Sequence, residues 1–434
     1  MKDNTNNSRT GAERILDTLE NAPDEMILSS EPKQAKRSRF PVWARWTAAA
    51  AACAVIAGGA TAAFMLTNRT QTGTLVADED LPKITPEYSV DAMGFEGYQL
   101  YDISDLASSN PWREEQNITV LPVYLNTMQR DNMSGVPSMA SDELLELMTQ
   151  REKLVANALG IELSDAQITN DAMSEEAKQK MQKMLDGVPE DQLSEVPESM
   201  FQPHNVEAKT DEASIYTYTD LSTTVWFNST VPTDCTMDIT DLDKAQQAVE
   251  YLKSEYSELL TAVGVTEPVA KIEGGDYFFT GERSPYRISF YNAGSTPEES
   301  LLNYSLYDVN FYGDENGLNG IHVTCRDMAK ELVGNYPLLT VEEAAEQLKA
   351  GNYGSSVPVG EGYAPDSYDR VELIYRTRST EKYYMPYYRF YVNVTDIIGA
   401  MDDVDTDTFG AFYVPAVKPE YIEDVPTYNG EFNK

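Results

Sequence analysis

TAAAAACAVIAGGATAAFML, residues 47–66, is a run of twenty residues without a charge. An α-helix rises about 1.5 Å per residue, so a helix of that length spans roughly 30 Å, the hydrocarbon thickness of a bilayer. The run is apolar on every side, which sets it apart from an amphipathic core helix. Lys33, Lys36, Arg37, Arg39 and Arg45 precede it, whereas Asp78, Glu79 and Asp80 follow beyond Arg69. Basic residues resist translocation, so the pattern predicts a cytoplasmic N-terminus and an extracellular C-terminal region. Trp43 and Trp46 suit the inner headgroup boundary. A signal peptide cut near Ala60 or Ala62 is the competing reading, but about forty polar residues precede the run, far more than a short basic lead. The expectation is a single-pass protein of the bacterial cell membrane. It has a tail over 1–41, a transmembrane helix over 42–66 and a linker over 67–95.

Outward from that run the charge is uneven. Residues 1–45 hold eight basic and seven acidic side chains, and the rest of the chain holds 25 and 64 of the totals of 33 and 71. So acidic a region is repelled by polyanions, which excludes nucleic acid as a partner. Twenty-seven tyrosines and thirteen phenylalanines are too many for a disordered stalk. Of three cysteines, Cys53 lies in the apolar run, while Cys235 and Cys325 are far apart and leave pairing open.

The secondary-structure pattern mixes strands and helices without βαβ alternation, which predicts an α+β class of antiparallel sheets with packed helices. Strands are expected over 98–103, 118–125, 206–209, 214–219 and 223–228. A second series is expected over 276–280, 287–291, 302–312, 321–325, 370–378, 382–394 and 411–417. Helices are expected from Ser141, over 174–186, from Asp241 to Gly264, and from Thr340 to Ala350 behind a capping box, Thr340 with Glu343. Pro386 and Pro415 argue for edge strands or bulges. Two extracytoplasmic units are drawn, 96–295 and 296–434.

Motifs for chemistry are absent. The chain has two histidines, His204 and His322. His322 stands three residues before Cys325 in an expected strand, so the two side chains point to opposite faces and form no nucleophile–base pair. No spacing suits zinc. Asp402, Asp403, Asp405 and Asp407 resemble the start of a calcium loop, but Thr408 and Val414 stand where Gly and Glu are required. No phosphate loop, dinucleotide fingerprint or nucleophile elbow occurs. The expectation is a non-enzyme with no catalytic residue, metal or cofactor.

Two groups stand out as candidates for binding. Ile15, Leu16 and Leu19 fall on one face of a short helix in the tail and suit a cytoplasmic partner. Tyr383, Tyr387 and Tyr391 recur at four-residue spacing in one strand. They suit an aromatic ligand platform or, as strand-favouring aromatics, a core.

The stretches LPVY (121–124), YPLLTVEEAAEQLKAGNY (336–353), VELIYRT (371–377), MPYYRFYV (385–392) and YVPAVKPEYI (413–422) resemble a family of uncharacterised membrane-anchored proteins of gut Firmicutes. The N-terminal segment is similar to those of anti-sigma-factor-like membrane proteins, without the His and Cys ligands of the zinc type. The C-terminal part is similar to PepSY domains and to extracytoplasmic domains that regulate a cell-wall sensor kinase. The resemblance implies an extracytoplasmic sensing region with a sigma factor or sensor kinase as partner. A tethered scaffold without signalling, and an envelope hydrolase using paired carboxylates, are the alternatives.

Overall fold

The computed structural model describes residues 75–86, 99–101, 109–128, 141–164, 167–170, 203–277, 281–327, 330–360, 362–378, 381–398 and 406–424. Two antiparallel sheets dominate these residues. The seven-stranded sheet is drawn from both ends of the described chain. It contains β1 (Gln99–Tyr101), β2 (Val120–Asn126), β11 (Lys330–Pro337), β12 (Gly354–Ser355), β13 (Arg370–Arg376), β14 (Tyr383–Asn393) and β15 (Asp407–Pro415). The eight-stranded sheet comes from the middle: β3 (Ile168–Asn170), β4 (Asn205–Lys209), β5 (Ala213–Tyr218), β6 (Thr223–Val231), β7 (Pro268–Glu273), β8 (Arg287–Asn292), β9 (Tyr307–Asp314) and β10 (Gly317–Cys325). Its strand order is β3-β4-β5-β6-β10-β9-β8-β7.

Alternation along the strands gives the eight-stranded sheet two unlike faces. Ile215, Val225, Ile288, Phe290, Val309, Phe311, Ile321 and Val323 are buried in one core with the helices that cover them. Those helices are α1 (Ser141–Ala158), α2 (Leu242–Glu255) and α3 (Ser257–Ala262). Helix α2 starts where Asp241 accepts a hydrogen bond from the Lys244 amide, and it buries Ala245, Ala248, Val249 and Leu252 at three- and four-residue spacing. The sequence reads as one helix to Gly264, but the chain breaks at Tyr256 and restarts as α3. The other face of this sheet is polar, with Lys271, Ser289, Asn310 and His322 on neighbouring strands.

The expected strand over 302–312 is half wrong. Helix α4 (Pro297–Leu306) occupies its first half, and β9 begins only at Tyr307. Thr296 caps α4 by accepting from the Glu299 amide, and Pro297 fits the first turn, where no amide is needed. Helix α4 packs against β8 and β9 of one sheet and β13 of the other. The capping box of α5 (Val341–Lys349) forms as its spacing predicts, with Glu343 accepting from the Thr340 amide at 2.9 Å. A last short helix, α6 (Thr395–Ile398), follows β14.

Strand β14 is central, not an edge, despite Pro386. It pairs with β13 on one side, and on the other with β2 at Tyr383 and Tyr384 and then with β15 from Tyr387. Pro386 falls where the partner changes, so its missing amide removes no ladder bond, and its carbonyl still accepts from the Ala416 amide.

The expected class, α+β behind a single N-terminal transmembrane helix, is therefore corrected. Antiparallel sheet dominates and helices are few. No helix among the described residues is long and apolar enough to cross a membrane. The longest, α1, has eighteen residues and carries Asp142, Glu143, Glu146, Arg151, Glu152 and Lys153, charges that a bilayer interior disfavours. The transmembrane, single-pass reading thus finds no helix to support it. The run 47–66, the tail residues Ile15, Leu16 and Leu19, and the helix expected over 174–186 lie outside the described residues.

Candidate functional site: a cavity with a cationic floor

The tyrosine stripe leads to the site by an unexpected route. Tyr387 and Tyr391 are 1 % and 8 % exposed, and Tyr383 is half-buried beneath Lys382, whose Nζ lies 5.7 Å from its ring centre. On the same face of β14, between Tyr387 and Tyr391, stands Arg389. Register places Arg389 directly opposite Glu372 on β13 and Tyr413 on β15. Arg376 lies four residues along β13 from Glu372, roughly 13 Å further on the same face. The guanidinium of Arg376 sits over the rings of Tyr387 and Tyr413, at 5.6 and 5.2 Å, and that of Arg389 sits over Tyr391 at 5.1 Å. The aromatic stripe is thus a bed for two arginines, in the geometry that favours cation–π attraction.

Each arginine is held from behind by a buried acid. Arg376 donates through Nε to Glu381 Oε1 at 2.9 Å, and Arg389 donates to Glu372 Oε2 at 2.7 Å. Glu372 also meets Arg370 Nε at 2.9 Å. Glu372 and Glu381 are both buried. Buried pairs of this kind fix side-chain geometry, and removing one partner typically costs about 3–5 kcal/mol.

Across from this face the polar side of the eight-stranded sheet supplies the second wall. Lys271, buried on β7, donates to the Tyr307 carbonyl at 3.0 Å and lies 3.4 Å from Asp308 Oδ1. Its ammonium also sits 4.5 Å from the ring centre of Tyr304. Tyr304, on α4, donates its hydroxyl to Glu273 Oε1 at 2.8 Å. Burial, then the Glu273 charge, pushes the Tyr304 phenol well above its ordinary range. Arg326 follows β10 and pairs with Asp220 at 3.3 Å. Ser305 ties the walls together, its carbonyl accepting from Thr377 Oγ1 at 2.7 Å and its hydroxyl from the Tyr375 amide at 3.3 Å.

The two walls enclose a cavity of about 350 Å³. Five cationic side chains line it, Lys271, Arg326, Arg376, Arg378 and Arg389, against two acids, Glu273 and Asp308. Depth sorts the charges. Lys271 and Arg376 are 6 % and 7 % exposed and form the floor with Arg389, while Glu273 and Arg378 are exposed at the mouth. Chemically, the floor presents fixed donors and positive charge to whatever enters.

The remaining candidates serve structure. His322 is engaged at both ring nitrogens, by Thr224 at 2.8 Å and Thr324 at 3.0 Å, and burial lowers its pKa. Cys325 donates its thiol to the Val263 carbonyl at 3.3 Å, and Cys235 and Cys325 are both free thiols. Asp402, Asp403 and Asp405 lie outside the described residues, and among those described no group of three or more His, Cys, Asp or Glu is placed to hold a metal ion. Sequence reasoning found the tyrosines and missed the cations, which come from positions 271 to 389 and converge only through sheet pairing. A local signal existed for β7, where Lys271 and Glu273 alternate with Ala270 and Ile272. The chain matches no family model, no curated protein and no solved structure.

Proposed function

We propose that the two-sheet region is a non-catalytic binding module that senses a small anionic molecule in this cavity. One observation carries the reading. A chain with 71 acidic and 33 basic residues reverses that ratio in the lining, five cations to two acids. Placing like charges together in a buried floor costs free energy, and three of the cations need buried or half-buried acids behind them. The excess of cations over acids in the lining favours an anionic ligand. The volume sits at the small end of sites for small molecules, roughly 300–1,000 Å³. The sigma factor or sensor kinase expected as partner, contacted through Ile15, Leu16 and Leu19, is proposed on the sequence alone. Substituting Leu16→Asp abolishes capture of such a protein from cells if that face is used, and leaves capture unchanged if it is not.

Isothermal titration of the full chain with a panel of small carboxylates and phosphates tests the cavity. Binding of at least one class is expected, weakened about tenfold by Arg378→Gln or Arg326→Gln, the loss of one charge-assisted hydrogen bond. No binding across the panel, or binding that both variants leave untouched, would overturn the proposal.

A further inference from the structure

The hydrogen bonds that hold His322 also reach the cavity. His322 stands on the polar face of β10, opposite Thr224 on β6 and two residues from Thr324 on its own strand. Its Nδ1 lies 2.8 Å from Thr224 Oγ1, and its Nε2 lies 3.0 Å from Thr324 Oγ1. Thr324 lines the cavity beside Asp308, its cross-strand partner on β9. A neutral imidazole has one N–H, so one ring nitrogen donates and the other accepts. Where Nε2 accepts, the Thr324 hydroxyl proton is held by the ring. Where Nε2 donates, that proton is free to point elsewhere. In the protonated ring both nitrogens donate, and only the second arrangement survives. Burial lowers the pKa of His322. Asp308 on β9 and Asp220 in the turn between β5 and β6 act to raise it, and Arg326 just after β10 acts to lower it. Asp308 is itself paired with Lys271, and Asp220 with Arg326. Strand β6 has no titratable side chain, and the residue opposite His322 on β9 is the neutral Asn310.

Resting on the anion-binding reading above, we infer that His322 is a positioning residue for the cavity. When protonated, it commits the Thr324 hydroxyl to donate into the space that Thr324 lines, and anion binding tightens as pH falls. No unpaired cation in the lining is needed for this effect. Protonation adds a hydroxyl donor at the wall and a positive charge one side chain behind it, and both favour an anion. Linkage is reciprocal, so a bound anion in turn strengthens the hold of His322 on its proton.

The test uses sulfate, whose own charge is constant between about pH 5 and 8, the range in which histidine changes charge. The full chain is titrated with sulfate across that range, and the His322 ring resonances are followed by NMR with and without the anion. His204→Gln leaves His322 as the one histidine of the chain and assigns its signals. Affinity is expected to rise about tenfold toward low pH, which corresponds to His322 keeping its proton about one pH unit higher in the bound protein. His322→Gln keeps a donor and an acceptor but cannot titrate, and it is expected to flatten the profile. Thr324→Val is expected to shrink the pH dependence and Thr324→Ser to restore it. The NMR titration decides the matter even where His322→Gln fails to fold. Sulfate binding with an unmoved His322 titration, or with a profile that His322→Gln leaves unchanged, would overturn the inference and leave the anion site standing. Absence of sulfate binding overturns the inference, and absence of binding by carboxylates and phosphates as well overturns both readings.

Discussion

Glu152 shows how a single buried group leaves a mark on the whole protein. It lies on α1, fully buried, and its pKa is pushed up to about 8, mainly by burial, with the Glu207 charge adding to the shift and Thr217 opposing it. Below the ordinary glutamate range both folded and unfolded chains hold the proton, and it contributes nothing to pH dependence. Between about 4.5 and 8 the unfolded chain releases the proton and the folded chain keeps it, so stability falls as pH rises. Above that window the loss is constant, of order 5 kcal/mol at most. Glu152→Gln removes the titration. In urea melts at pH 5 and pH 8, the variant is expected to lose less stability between the two than the parent. Equal losses would show that Glu152 does not titrate in the window. The arginines of the cavity illustrate a different limit at this scale. The tyrosine stripe was legible as a four-residue spacing in one strand. Nothing in the sequence pairs Arg376 with Glu381 or Arg389 with Glu372, because those partners are fixed by hairpin geometry and cross-strand register.

At the scale of elements, local chemistry was readable where the signal is short-range. Thr340 and Glu343 bond each other's backbone amides at the start of α5, whose buried Val341, Ala344, Ala345 and Leu348 pack in the core of the seven-stranded sheet. Thr340→Ala is expected to lower stability by about 1 kcal/mol, read as a shift of the denaturant midpoint with unchanged slope. A change within error would mean that water replaces the cap. Two readings failed where the competing signal lies in context. Leu301, Leu302 and Leu306 suit a strand, yet Ser295, Thr296, Pro297, Glu298 and Glu299 form a helix start, and the cap decided the outcome. Pro386 suits an edge, yet it sits where β14 passes from β2 to β15, a position defined only by non-local pairing. Helix α4 matters most for the site. It brings Tyr304 to one wall of the cavity, and Ser305 bonds Tyr375 and Thr377 of the other.

For the whole molecule, two sheets are built from an interrupted chain. Strands from residues 99–126 and 330–415 form one, and strands from 168–325 form the other. Hydrophobic alternation shows that strands exist but not which sheet each joins. The same alternation leaves one face of the eight-stranded sheet polar, and that face becomes a wall of the cavity. The formal charge of −38 repels anions at long range. At physiological ionic strength the Debye length is about 8 Å, so a ligand that reaches the mouth is governed by the local lining rather than by the total charge.

Crystals soaked in concentrated bromide give the most direct measurement, because the ion is the simplest anion and its anomalous scattering locates it without a choice of ligand. At about 1 M salt the Debye length is near 3 Å, and repulsion by the acidic surface is screened. A bromide peak in the cavity, within contact of Arg376, Arg389 or Lys271, is the predicted result. Bromide sites confined to the outer surface, with none in the cavity, would contradict the account and reduce the five cations to structural pairs.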